Sequence, residues 1–265
     1  LSDSEVELVV SVVRRKPMRT VSGVAVVAVM TSPAMCPHGR CIPCPGGPMV
    51  CTPQSYTGFE PAAMRASLND FDPFFQVKNR VEQLKAIGHP VDKIDLIIMG
   101  GTFTSRSPFY QEWFIRRCFD ALNGKDSKNL SEAKRLNEKS LCRCIGLTVE
   151  TRPDWFRLQH AEQVLSFGAT RLELGVQTVY DDVLYAINRG HTVTDSILAT
   201  RIAKNCGLKI CYHMMPGLPG VDEKRDIECF EEIFSNSCFK PDMLKIYPTL
   251  TVEGTRLFEM WKNSD

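Results

Sequence analysis

Cys36, Cys41 and Cys44 stand within the segment Cys-Pro-His-Gly-Arg-Cys-Ile-Pro-Cys-Pro-Gly-Gly-Pro, directly after the apolar run Val24 to Met30. This is a cysteine-rich loop hung on the end of a strand. Thiolates are soft ligands suited to iron-sulfur clusters, and three of them around a cubane of four irons leave one iron free to bind a substrate or cofactor. A zinc ion would need a fourth Cys or His, and His38, inside the loop, has to fold back to supply it. A disulfide framework belongs to small secreted chains, and incidental thiols are the remaining alternative.

Other residues carry chemistry at a distance from this loop. Gly100-Gly101-Thr102 offers backbone that a ligand can approach closely, with free N–H groups and a hydroxyl, although a tight strand-to-helix turn explains two glycines equally well. Glu150 can accept from both hydroxyls of a ribose, or form a rim salt bridge with Arg152 or Arg171. Gln177 can donate and accept at a polar cofactor, and Arg189 offers a planar fork to a carboxylate, although each taken singly reads equally as a surface polar group. His213 reads either as a ligand contact or as a satisfied core histidine. Tyr56, in the irregular stretch Gln54 to Pro61, is either a hydrogen source or acid, or a ring packed under the loop. Lys93 reads by spacing as a solvated lysine.

The elements that must position these residues are short aliphatic runs alternating with amphipathic segments. Strands are expected at Val24 to Met30, Ile94 to Met99, Ile145 to Val149, Leu172 to Val176, Leu208 to His213 and Met243 to Tyr247. Several are apolar at nearly every position, as strands covered on both faces tend to be. Helices are expected at Phe75 to Ile87, Phe109 to Leu122, Trp155 to Phe167, Asp195 to Cys206 and Asp222 to Phe234. Strand alternating with helix implies right-handed crossovers and a parallel sheet, and the even spacing of the later strands favours a barrel or part-barrel. In such folds function gathers at the carboxyl ends of the strands, where the cysteine loop, the Gly-Gly-Thr turn, Glu150, Gln177 and His213 all fall. Residues 123–140, rich in Lys, Asn and Ser, read as an exposed helix or loop insertion.

With 265 residues, 43% of them hydrophobic, the chain can bury a sizeable core as one large domain. Lys and Arg total 32 against 31 Asp and Glu, so bulk charge does not announce a nucleic-acid binder, and any such surface must be a focused patch. Clusters such as Arg14-Arg15-Lys16 and Lys134-Arg135 are the candidate patches, with solvated surface as the plainer alternative. Eleven cysteines without a secretory signal imply a reducing, cytoplasmic setting, and no apolar stretch approaches the roughly 20 residues that span a bilayer. Cys118, Cys206, Cys211, Cys229 and Cys238 read as small buried hydrophobes.

In order along the chain, the cysteine triplet, Gly-Gly-Thr, Glu-Thr-Arg-Pro, Gly-Val-Gln and Gly-Leu-Pro resemble a radical S-adenosylmethionine enzyme. The blocks Arg19 to Gly23, Cys44 to Pro48, Gln54 to Pro61, Val81 to Lys85, Met99 to Phe103, Glu150 to Asp154, Asn188 to Val193 and Lys245 to Leu250 resemble, more narrowly, the catalytic subunit family of Elongator, which modifies uridine in tRNA. The resemblance runs from about Lys16 to the end. It implies an α/β fold, a partial (β/α)6 TIM-like radical S-adenosylmethionine barrel at residues 24–265, preceded by a basic lead-in at residues 1–23. A C-terminal acetyltransferase-like domain of that family is absent from this chain.

The resemblance also implies an activity. Such a domain uses a 4Fe-4S cluster and S-adenosylmethionine to generate a 5'-deoxyadenosyl radical. That radical takes hydrogen from the acetyl group of acetyl-CoA, and a carboxymethyl group ends on carbon 5 of the wobble uridine. By this resemblance Cys36, Cys41 and Cys44 hold the cluster. Gly100, Gly101, Thr102, Glu150, Gln177, Arg189 and His213 seat S-adenosylmethionine, Tyr56 serves the chemistry, and Lys93 contacts acetyl-CoA. For tRNA contact the choice lies between Arg14, Arg15, Lys16 and Arg19, which are favoured because they enter the barrel beside the cluster strand, and the segment Lys125 to Lys139. An electron donor, further subunits or a second copy are implied partners, with no membrane. Pro43 departs from the aromatic residue many relatives carry before the third cysteine, and the short Cys36 to Cys41 spacing points to an archaeal or bacterial source. The alternatives are another radical S-adenosylmethionine oxidoreductase, such as a porphyrin-precursor enzyme, and a non-catalytic metal-containing RNA-binding module.

Overall fold

The computed structural model describes residues 2–13 and 16–263, so Arg14 and Arg15 of the expected basic patch lie outside the described residues. Six strands run in sequence: β1 (Ala25–Met30), β2 (Lys93–Met99), β3 (Arg143–Thr151), β4 (Arg171–Gln177), β5 (Lys209–Met214) and β6 (Met243–Ile246). Each pairs in parallel with the next, giving the order β1-β2-β3-β4-β5-β6 without a reversal. The sheet curls into a half-barrel, as expected from the alternating pattern.

The register sorts the side chains onto two faces, because successive residues of a strand point opposite ways. Val27, Val29, Leu96, Ile98, Leu147, Val149, Leu172, Leu174, Ile210 and Tyr212 share one face and join the main core cluster with the helices. The concave face is different. Glu150 sits beside Glu173 and Cys211, and His213 beside Lys245, in successive register positions of β3 to β6. The strands are therefore not covered by apolar groups on both sides; the barrel interior is a polar surface, and Val26, expected to be buried, is exposed.

The crossover helices are α3 (Pro73–Ala86), α4 (Pro108–Asn123), α6 (Leu158–Phe167), α8 (Val193–Asn205) and α9 (Glu223–Ser235). Each start has a local cause. Asp72 caps α3 by accepting from the N–H groups of Phe74 and Phe75, Thr192 and Asp195 form a reciprocal box at α8, and Asp222 caps α9. Residues 123–140 are not simply exposed: α5 (Leu130–Asn137) buries Leu130, Ala133 and Asn137 against α4. Four more helices lack a long periodic signal: α1 (Asp3–Val13), α2 (Pro61–Ser67), α7 (Asp181–Ala186) and α10 (Arg256–Lys262). Two of these frame the site. α2 lays Ala63 and Ala66 on Met30 at the mouth of the concave face, and α7 places Val183 and Ile187 beneath Ile42 of the cysteine loop. No helix among the described residues is long and apolar enough to cross a membrane.

Candidate active site at the carboxyl rim

The cysteine loop leaves β1 and is braced from three sides. Gln54, itself buried, accepts from the Cys36 N–H through Oε1 and donates through Nε2 to the Gly39 carbonyl at 3.2 Å. The Ile42 N–H donates to the Ile187 carbonyl at 2.9 Å, and Asn188 Nδ2 to the Arg40 carbonyl at 3.0 Å, tying the loop to α7. Gly46 is required by close approach: a Cβ there would lie 2.3 Å from the Tyr56 carbonyl oxygen and 2.4 Å from that of Pro53.

Cys36, Cys41 and Cys44 line one cavity, of about 340 Å³. Each sulfur has a polar neighbour. Thr102 Oγ1 lies 3.4 Å from Cys36 Sγ, Arg189 Nη1 donates to Cys41 Sγ at 3.6 Å, and the Ser55 N–H donates to Cys44 Sγ at 3.1 Å. Burial pushes the Cys44 thiol up despite that donor. His38 does fold back, with Nε2 3.0 Å from Cys41 Sγ. Yet a zinc ion bonded to sulfur at about 2.3 Å would draw its ligands to within roughly 4 Å of one another. Among the described residues, the set of His, Cys, Asp or Glu ligand atoms gathered within 4.8 Å is Glu173, Cys211 and His213, not the three loop cysteines. Three soft sulfur donors facing one cavity fit the ligand set of an iron-sulfur cluster.

The opposite wall of the cavity holds the polar groups. Glu150, Arg152 and Arg189 are buried there, with Gly101, Thr102, Gln177 and His213 alongside. Four atoms on this wall are buried without a hydrogen-bond partner: Glu150 Oε1, Arg152 Nη1, Gln177 Oε1 and Arg189 Nε. A buried polar atom left unpaired costs about 1–3 kcal/mol, so four around one cavity mark a place for a polar ligand with both donors and acceptors. An amino acid joined to a nucleoside, as S-adenosylmethionine is, matches that requirement. Gly175 makes the wall possible: Arg189 Nη2 donates to its carbonyl at 2.9 Å, and a Cβ on Gly175 would come 2.4 Å from that nitrogen. Gln177 adopts φ +73°, an uncommon conformation for a non-glycine residue, where the pairing of β4 with β5 becomes irregular.

Below the wall lies a charge network. The Tyr56 hydroxyl donates to Glu150 Oε2 at 2.9 Å, His213 Nε2 lies 2.8 Å from Glu173 Oε2, and Lys245 Nζ bonds Glu173 Oε2 while standing 3.8 Å from Glu150 Oε1. Burial pushes the Glu150 carboxyl up, and Glu173 beside it adds to this against the pull of His213 and Lys245. Burial acts on Glu173 in the same sense, but the His213 hydrogen bond and the Lys245 ammonium outweigh it and bring that carboxyl down to about 2. Lys245 is held charged against burial by the same two carboxylates. Burial, with Glu150 next, drives Tyr56 well above the usual phenol range, so it remains a protonated donor.

The structure thus brings Cys36, Cys41, Cys44, Tyr56, Gly101, Thr102, Glu150, Gln177, Arg189 and His213 to one cavity. Gly100 lies behind it, packed so that a Cβ would sit 2.2 Å from Thr31 Oγ1. Lys93 takes no part: it opens β2 at the amino rim, half-exposed, 3.9 Å from Asp92. The rim salt bridges weighed for Glu150 do not form, since Arg152 pairs with Asp154 at 2.6 Å and Arg171 with Asp95 at 2.8 Å. Cys238 is exposed rather than buried, and Cys211 faces the charge network. Sequence reasoning missed Arg152, Glu173 and Lys245 as site residues; the signal available for the last two was a charge interrupting an aliphatic strand.

Comparisons with known proteins bear on this cavity. The Radical SAM superfamily model matches residues 33–233. The tRNA uridine(34) acetyltransferase of Methanocaldococcus jannaschii is 55% identical over 267 residues, covering 100% of this chain and 49% of that protein. Elongator complex protein 3 of Drosophila melanogaster is 52% identical over 257 residues, covering 94% of this chain and 47% of that one. The solved structure of the archaeal Methanocaldococcus infernus Elp3 with an N-terminal deletion matches with a TM-score of 0.77 and 47% identity, over 91% of this chain and 49% of that one. The chain spans about half the length of the curated relatives it matches.

Proposed function

The chain belongs to the radical SAM superfamily, as a radical domain of the Elongator catalytic-subunit family, and from that premise we propose that it serves tRNA modification, transferring a carboxymethyl group from acetyl-CoA to carbon 5 of the wobble uridine. The observation that carries this reading is the pairing, across one cavity, of three cysteine sulfurs with a wall of unpartnered donors and acceptors at Glu150, Arg152, Gln177 and Arg189.

Cys36, Cys41 and Cys44 would hold a 4Fe-4S cluster, with S-adenosylmethionine seated against Gly101, Thr102, Glu150, Gln177, Arg189 and His213. Bound together, the cluster and S-adenosylmethionine supply a hydrogen-abstracting carbon radical once an electron donor reduces the cluster. The protein's own share is placement and exclusion of water. Arg189, stretched along Gly175, presents its guanidinium to a carboxylate. Glu150 offers an acceptor for ribose hydroxyls in place of the Tyr56 hydroxyl it now holds. Lys245 sets the charge of both carboxylates, and Tyr56 stays a neutral donor able to give hydrogen or a proton. Pro43 lines the cavity just before the third cysteine and offers no aromatic ring on which adenine could stack. Lys93, at the other rim, would meet acetyl-CoA only away from this cavity. The setting we propose is the reducing cytoplasm, where eleven free cysteines persist.

The test is mass spectrometry of the wobble nucleoside after anaerobic reaction of the full-length protein with tRNA, acetyl-CoA, S-adenosylmethionine and a reductant. 5-Carboxymethyluridine is the expected product. An unmodified nucleoside, with cluster and acetyl-CoA verified, overturns the proposed activity.

A further inference from the structure

A second polar feature lies at the opposite end of the sheet. Arg19, six residues before β1, and Arg80 of α3 line a cleft of about 340 Å³ with Lys16, Gln83, Ala86 and Ile87. α3 ends at Ala86 and β2 begins at Lys93, so the cleft sits at the amino rim. A strand of six residues separates it from the cysteine loop, about 20 Å at roughly 3.3 Å per residue.

Among the described residues, the Arg19, Arg80 and Lys16 side chains have no ion pair or hydrogen bond with a carboxylate. Arg65 of α2 extends the series inward: Nη2 donates to the Ala28 carbonyl at 2.9 Å, while Nε is buried with no partner. Burial, and then Arg80, lower Arg65 to about 10; burial, and then Arg19, lower Arg80. Three guanidiniums collected with like charges for neighbours repel one another, and partial burial deepens that cost. An arrangement that opposes itself in the free protein is relieved by an anion from outside. Planar guanidinium forks suit phosphate oxygens better than a point charge does.

We propose that the cleft of Lys16, Arg19 and Arg80, backed by Arg65, binds the phosphate groups of a nucleotide ligand. The two sources are the backbone of an RNA and the phosphates of a coenzyme A. The RNA arm rests on the tRNA reading above; the phosphate chemistry does not.

The test compares full-length wild type with Arg80→Gln and Arg80→Lys. Inorganic phosphate, against chloride at equal ionic strength, is expected to raise the melting temperature of the wild type and not of Arg80→Gln. In phosphate-free buffer Arg80→Gln is expected to melt no lower than the wild type, because a repulsion has been removed; a clear fall marks Arg80 as a structural brace and overturns the proposal. If RNA is the source, tRNA affinity measured by anisotropy falls severalfold in Arg80→Gln, and the slope of log affinity against log salt becomes shallower by about one, while Arg80→Lys keeps the slope. If coenzyme A is the source, its affinity falls instead, and dephospho-coenzyme A separates the contribution of the 3'-phosphate. Equal phosphate stabilisation, salt slope and coenzyme A affinity in wild type and Arg80→Gln contradict the inference. Wild type that binds no tRNA sinks the tRNA reading and leaves the phosphate measurement to decide this one.

Discussion

At the scale of single residues, Glu150 and Glu173 are two buried carboxylates held against burial by His213 and Lys245 together; of these two, Lys245 bonds Glu173 while standing 3.8 Å from Glu150. Replacing Lys245 with methionine leaves Glu150 beside Glu173 with less positive charge to hold it ionised, so a carboxyl that burial already pushes up is pushed further up. A hydrogen bond to a charged acceptor is worth about 1.5–3 kcal/mol. Lys245→Met is therefore expected to weaken S-adenosylmethionine binding severalfold, with affinity recovering as pH rises. Anaerobic equilibrium dialysis across pH checks this, and a pH-independent loss would count against it. Glu173 gives a separate prediction. Its carboxyl is lowered from 4.5 to about 2 in the folded chain, so its contribution to stability is present above about pH 4.5 and disappears as pH falls through 2. Glu173→Gln should cost roughly 3 kcal/mol at pH 5, with the gap to wild type closing as the medium is acidified, read by denaturant titration. The cysteines, Glu150 and Gln177 were legible because they stand at or just beyond the carboxyl ends of strands, and Arg189 because it stands beside the turn residues Asn188 and Gly190. Lys245 and Glu173 were not, because an aliphatic strand with one charge reads the same whether that charge faces solvent or a barrel interior.

At the scale of elements, the cysteine loop is held by contacts that tolerate little. Gly46→Ala drives a methyl into two backbone carbonyls, which cannot rotate away as a side chain does. The expected outcome is a large drop in iron bound per chain after anaerobic reconstitution, with far-ultraviolet circular dichroism unchanged because the sheet does not depend on that turn. Full iron content in Gly46→Ala would contradict the packing described. The six strands and five crossover helices were readable from periodicity, with boundaries shifted by one to three residues. The short helices α2 and α7 were not, since six or seven residues give too few turns for an apolar stripe. They matter, because α2 closes the mouth of the concave face and α7 supports the cysteine loop. The polar interior escaped notice for a related reason: β1 and β2, rich in aliphatic residues, suggested strands covered on both sides, and only the register shows that β3 to β6 turn charged groups inward.

At the scale of the molecule, a six-stranded half-barrel keeps one edge of its interior open, as β1 and β6 pair with one neighbour each. The arginine cleft and the cysteine loop lie at opposite rims of that sheet. In the proposed function the three loop cysteines would carry a cluster whose remaining iron is bound by S-adenosylmethionine. The most direct measurement is electron paramagnetic resonance of the reduced, anaerobically reconstituted full-length protein, with S-adenosylmethionine labelled at its amino nitrogen. The account predicts a 4Fe-4S signal that changes on addition of S-adenosylmethionine and shows hyperfine coupling to the labelled nitrogen. A zinc-loaded or metal-free loop, or a cluster signal indifferent to S-adenosylmethionine, would contradict it.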